Sequence, residues 1–187
     1  MNMEQNVFQK NMWNTGATGG AVLGVISAAY LLISHPLSSA GMPGFVSVIA
    51  SGVLWLAKFA GCIFVMSYFM KKFVSAESSA DNAATFRLGM IMAFTSALVF
   101  SAVSYADMTL ISADKYAEQF DMIMQQMSSA MDSNTLNTME RMMERLPEFT
   151  FFSNFIYCTL YGFVLSYILS RNIPRNDPFA NYKPDEQ

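Results

Sequence analysis

Four long apolar runs, at about 16–34, 45–70, 87–106 and 149–170, decide what this 187-residue chain can become. Each has about the 20 mostly apolar residues that a helix rising 1.5 Å per residue needs to cross a hydrocarbon layer roughly 30 Å thick. The runs are continuous rather than alternating, which argues against the strands of an outer-membrane barrel. With 53% hydrophobic and 13% charged residues, little polar sequence remains for a separate soluble domain. The expected fold is all-α: a polytopic membrane protein, one integral-membrane helical domain over 1–187 with four transmembrane helices. Lys10 before the first run and Ser38, Ser39 and Ala40 after it resemble the flanks of a cleavable signal. The glycines of that run and the three further runs argue against cleavage.

Basic residues sort by loop. Lys10 precedes the first run, Lys71, Lys72 and Arg87 flank the second loop, and Arg171, Arg175 and Lys183 follow the fourth run. The first loop has no Lys or Arg, and the third has three against eight acidic residues. By the positive-inside rule both termini are cytoplasmic and the acidic loop lies outside. In a bacterium this means a multi-pass protein of the inner (cytoplasmic) membrane.

Residues 1–12 read as a short polar lead-in, and Trp13 as an interfacial aromatic. In the first run Gly16, Gly20 and Gly24 recur every fourth residue, a ridge of small residues for close helix packing against another span, a second copy or a partner. The stretch 35–43, from His35 through Pro36 to Pro43, is expected to break helix at both ends, with His35 an interfacial loop residue. In the third loop Tyr116, Phe120, Ile123, Met124, Met127 and Met131 recur at helical spacing. Asp132, Ser133 and Asn134 interrupt the stripe with capping chemistry, and Leu136, Met139, Met142, Met143 and Leu146 form a second one. The expectation is an amphipathic helical hairpin over about 112–146. Its contact face of Phe120, Met124, Met127, Met139 and Met143 would meet its other half, the membrane surface or a partner. Pro147 and Glu148 suit the first turn of the fourth span, Pro174 ends the helical pattern, and 176–187 reads as a disordered tail.

Few residues suggest chemistry. Lys58 stands inside the second run, where an ammonium costs about 2.5–3.5 kcal/mol on insertion scales and so faces a cavity, pairs with a polar group or snorkels. Polar side chains at the outer ends of the third and fourth runs, Asp107 and Asn154, complete a candidate intramembrane site. Cys62 and Cys158 lie within spans and read as packing residues. Eight of the sixteen methionines fall between Met108 and Met143. Clustered thioethers suit Cu(I), but their spacing follows the apolar stripes, which favours an adaptable contact surface. No zincin helix, nucleophile elbow, phosphate loop or dinucleotide fingerprint is present, and no basic run suits nucleic acid. An enzyme is therefore disfavoured, and no cofactor is implied.

The chain resembles the uncharacterised integral-membrane family known as domain of unknown function 4199. The likeness rests on the glycine-rich start of the first span from Thr15, on Met70-Lys71-Lys72, and on Thr85-Phe86-Arg87-Leu88-Gly89. The Met- and Glu-rich outer segment ending in Leu146-Pro147-Glu148-Phe149, followed by an aromatic fourth span, completes it. The resemblance implies four spans, a Bacteroidetes origin and an inner-membrane address. It brings no activity and no site residues.

Two functions are compatible with these features. One is a non-enzymatic accessory or scaffold subunit of a cell-envelope complex, docked to a protein partner or a second copy, with a membrane glycosyltransferase as a conceivable client. The other is a small transporter or channel using Lys58 in an anion or lipid-headgroup path.

Overall fold

The computed structural model describes residues 3–39, 44–77, 80–127 and 132–173. Among the described residues six α-helices run in order: α1 Met3–Ser39, α2 Gly44–Ala76, α3 Asn82–Ala106, α4 Ala113–Met127, α5 Ser133–Glu144 and α6 Leu146–Asn172. A π-helical turn, Asp107–Ile111, joins α3 to α4. Among the described residues, α1, α2, α3 and α6 are the four helices long and apolar enough to cross a membrane.

These helices outrun the apolar runs that define them. α1 begins in the polar lead-in and continues past His35 and Pro36, so the first loop starts later than 35. Pro36 falls in the last turn of α1, where its missing N–H removes a single rung of the ladder and the helix ends three residues later. The loop after α2 is likewise shorter than the apolar runs imply: α2 extends to Ala76 and α3 starts at Asn82. Asp81 caps α3, its carboxylate accepting from the Ala84 amide at 2.6 Å. Ala40, Pro43, Met131, Pro174 and the tail lie outside the described residues.

α3 is the centre of the bundle, packed between α1 and α6. Small residues set both seams. On α1, a Cβ at Gly20 would stand 2.6 Å from the Met92 carbonyl oxygen, and one at Gly24 would stand 2.6 Å from Val99 Cβ. Gly16 meets Ile91 in the same way, so the glycine ridge lies against α3 of the same chain. On the other side Gly162 of α6 packs on Ala93, and buried Ser166 donates to the Gly162 carbonyl at 2.6 Å. Without an apolar driving force between helices in lipid, such close backbone approach supplies the dispersion contacts that hold a bundle together. Aromatic pairs run along the α3–α6 seam: Phe86 with Tyr167, Phe94 with Phe155, and Tyr105 with Phe151.

α2 is held differently along its length. Its second half buries Met66, Met70, Phe73 and Val74 in a cluster with Met12, Leu23, Leu88, Met92 and Ile173. Its first half is buried less deeply: Ser47, Ala50, Leu54 and Lys58 form a half-buried stripe, while Phe45, Val48, Val53 and Leu56 are exposed and a Cβ at Gly52 would point into open space. The helix is thus packed more tightly at one end than at the other.

Candidate functional site

Where the packing of α2 loosens lies a cavity of about 150 Å³, walled by all four long helices. α1 contributes Leu23 and Ser27, α3 contributes Ala93 and Ser96, and α6 contributes Tyr157, Cys158, Tyr161, Gly162 and Leu165. From α2 come Trp55, Lys58, Phe59, Cys62 and Met66. Lys58, Cys62 and Met66 are four residues apart, so they share a helix face with buried Met70 and Phe73. That register turns the lysine inward.

Lys58 lies fourteen residues from Gly44 and fourteen from Lys72, roughly 21 Å along the helix in either direction. Its Nζ sits 4.9 Å from the ring centroid of Tyr30 on α1 and 4.9 Å from that of Phe100 on α3. Each such contact contributes about 0.5–2 kcal/mol, more when water is excluded. Among the described residues no carboxylate comes within ion-pairing distance of this ammonium. The hydroxyl of Tyr161 is buried and has no hydrogen-bond partner among the described residues. An unmet buried hydroxyl costs about 1–3 kcal/mol. Ser27 and Cys62 face each other across the wall at 4.0 Å.

The cavity is closed on one side and open on another. Met66, the last of its lining residues along α2, is buried in a cluster with fully buried Met70, Leu88 and Met92. The cavity rim carries Trp55 and Tyr157, which are 54% and 72% exposed. Phe59 and Tyr161, with ring centroids 5.8 Å apart, join α2 and α6 in the lining. Chemically this is a largely apolar chamber whose lining includes the Lys58 and Tyr161 side chains beside the hydroxyls of Ser27, Ser96 and Tyr157.

The other polar candidates group elsewhere. Asp107, only 2% exposed, sits in the π-helical turn, where Ser112 donates to its carboxylate at 2.9 Å. The amide of Ser112 reaches back five residues to the Asp107 carbonyl at 2.7 Å, the bond that widens the turn. Asn154 donates to Ser104 at 3.0 Å, tying α6 to α3. Burial, and then the charge of Asp107, push the Tyr116 hydroxyl above its ordinary pKa. Neither Asp107 nor Asn154 lines the Lys58 cavity, so the structure separates the three residues grouped from sequence.

In the third loop Phe120, Met124, Met127, Met139 and Met143 are half-buried, while Met122, Ile123 and Met142 are exposed. An apolar groove is lined by Phe120 and Ile123 of α4, by Met139, Met142 and Met143 of α5, and by Leu146 and Phe149 of α6. Asp132 caps α5 by accepting from the Thr135 amide and hydroxyl, which hold its carboxyl below the usual range. Sequence reasoning missed Tyr30, Phe100 and Tyr161, and read Cys62 and Cys158 as packing residues although both line the cavity. The four-residue spacing from Lys58 to Met66 was the available signal.

No curated protein and no solved structure matches the chain. A family model does, over residues 18–171, a stretch that takes in the greater part of α1, all of α2 to α5 and nearly all of α6. The chain belongs to the family described as Protein of unknown function (DUF4199).

Proposed function

We propose that this protein is a small membrane carrier or receptor for an anion, which it holds at Lys58 midway through the bundle. The observation that carries the reading is the pairing of an ammonium without a carboxylate and a buried hydroxyl without an acceptor on one cavity. An acceptor with negative charge satisfies both. The burial of Met66 at one end of the α2 lining favours a binding site entered from one side over an open pore. The basic residues at one end of the bundle support an inner-membrane orientation with both termini cytoplasmic.

Trp55 on the rim is a built-in reporter once the other tryptophan is removed by Trp13→Phe. In lipid nanodiscs this protein should show a saturable change in emission with at least one member of a panel of chloride, inorganic phosphate and alkyl carboxylates. Lys58→Met should weaken that binding about tenfold or more, as expected for loss of a charge-assisted hydrogen bond. Equal binding by Lys58→Met, or no response to any anion, would exclude the reading.

A second reading, an accessory subunit of an envelope complex, draws support from the apolar groove of α4, α5 and α6. Photo-crosslinking side chains placed at Met124 and Met143 should then trap a protein in native membranes. Crosslinks to lipid alone would count against it.

A further inference from the structure

We infer that the cavity takes the carboxylate of a single-chain, membrane-dissolved acid, which enters sideways between α2 and α6. This rests on the anion-binding reading and narrows it to a ligand class and a route.

The route follows from what closes the chamber and what does not. Met66, at one end of the α2 lining, is buried in the cluster with Met70, Leu88 and Met92. The exposed rim residues Trp55 and Tyr157 lie on the side of the bundle, where α2 and α6 scarcely touch. That side faces lipid in any helix crossing a bilayer. A water-borne ion would have to shed its hydration to reach Lys58, roughly 21 Å along α2 from Lys72. An acid already dissolved in the membrane has its chain in lipid, so only its carboxyl head bears that cost as it passes Phe59 and Tyr161.

The head follows from the donors. One ammonium balances one negative charge, so a monoanion suits the site better than a phosphate dianion. Lys58 and Tyr161 both line the cavity, and between them they carry an ammonium and an unpartnered hydroxyl, donors of the kind that a carboxylate's two oxygens accept. The tail follows from the walls. Leu23, Ala93, Gly162 and Leu165 are apolar, and an apolar cavity near 150 Å³ holds about six carbons, as a benzene-sized guest does. That is room for the first part of one chain and not for two.

The test uses the full chain carrying Trp13→Phe, in nanodiscs, reading Trp55 emission with four probes: dodecanoate, acetate, inorganic phosphate and dodecanol at matched membrane content. Dodecanoate should bind saturably, dodecanol about tenfold more weakly, and acetate and phosphate at least about a hundredfold more weakly. Tyr161→Phe removes an unmet hydroxyl and so should keep the fold, with thermal unfolding at or above the parent's temperature, while weakening dodecanoate about fivefold. Phosphate or acetate binding as tightly as dodecanoate would overturn this inference and leave the anion reading standing. So would Tyr161→Phe binding dodecanoate like the parent. Dodecanol matching dodecanoate would also overturn this inference alone, whereas no binding by any of the four probes or by chloride would overturn both.

Discussion

At Gly20 the bundle has no room for a single methyl group. A Cβ there would meet the Met92 carbonyl oxygen and Thr95 Cβ, each at 2.6 Å, and the first of these is backbone that cannot swing aside. Gly20→Ala should therefore destabilise the detergent-solubilised protein by about 1–3 kcal/mol, the usual cost of overpacking. Gly61→Ala, facing open space on α2, should be neutral or stabilising by up to about 1 kcal/mol through helix propensity. Unfolding curves of the two variants decide the matter, and similar losses at both sites would refute a tight α1–α3 seam. The four-residue glycine spacing was readable in the sequence, but the partner helix was not, because a ridge of small residues fits any close neighbour. Lys58 was equally visible as an anomaly. Its ring partners, Tyr30 and Phe100, were not, since each comes from a different helix far away in sequence.

At the scale of elements, long apolar periods marked four spanning helices, and local chemistry marked several of their ends. Asp81 and Asp132 cap α3 and α5 through their carboxylates, and Pro147 opens α6. The helices nonetheless overrun the apolar runs, since hydropathy reports where lipid is tolerated and backbone hydrogen bonding continues beyond it. The π-helical turn had no readable signal: it inserts one residue into the ladder and leaves composition unchanged. α2 is the element most changed by the structure. Its apolar run reads as uniform, yet its buried residues all fall from Met66 onward, and the cavity is lined by α2 from Trp55 to Met66, where that burial begins. Separation between helices is a property of their relative placement, which the periodicity of any one of them does not encode.

At the scale of the molecule, α3 organises the bundle, α1 and α6 clasp it through small residues, and α2 forms the loose wall of an internal chamber. Fold class and family membership were legible from the sequence; the chamber, its ring-clamped ammonium and its unmet hydroxyl required the helices to be set side by side. Those last features carry the functional proposal, so the distance between Lys58 and a bound acid tests it most directly. Solid-state NMR on ¹⁵N-lysine-labelled protein in bilayers with ¹³C-carboxyl dodecanoate measures that distance by dipolar dephasing. The wild-type protein should show a nitrogen–carboxyl contact within roughly 4 Å, the reach of an ion pair, and Lys58→Met should abolish it. A bound acid with no such contact, or a contact that survives Lys58→Met, would contradict the proposal.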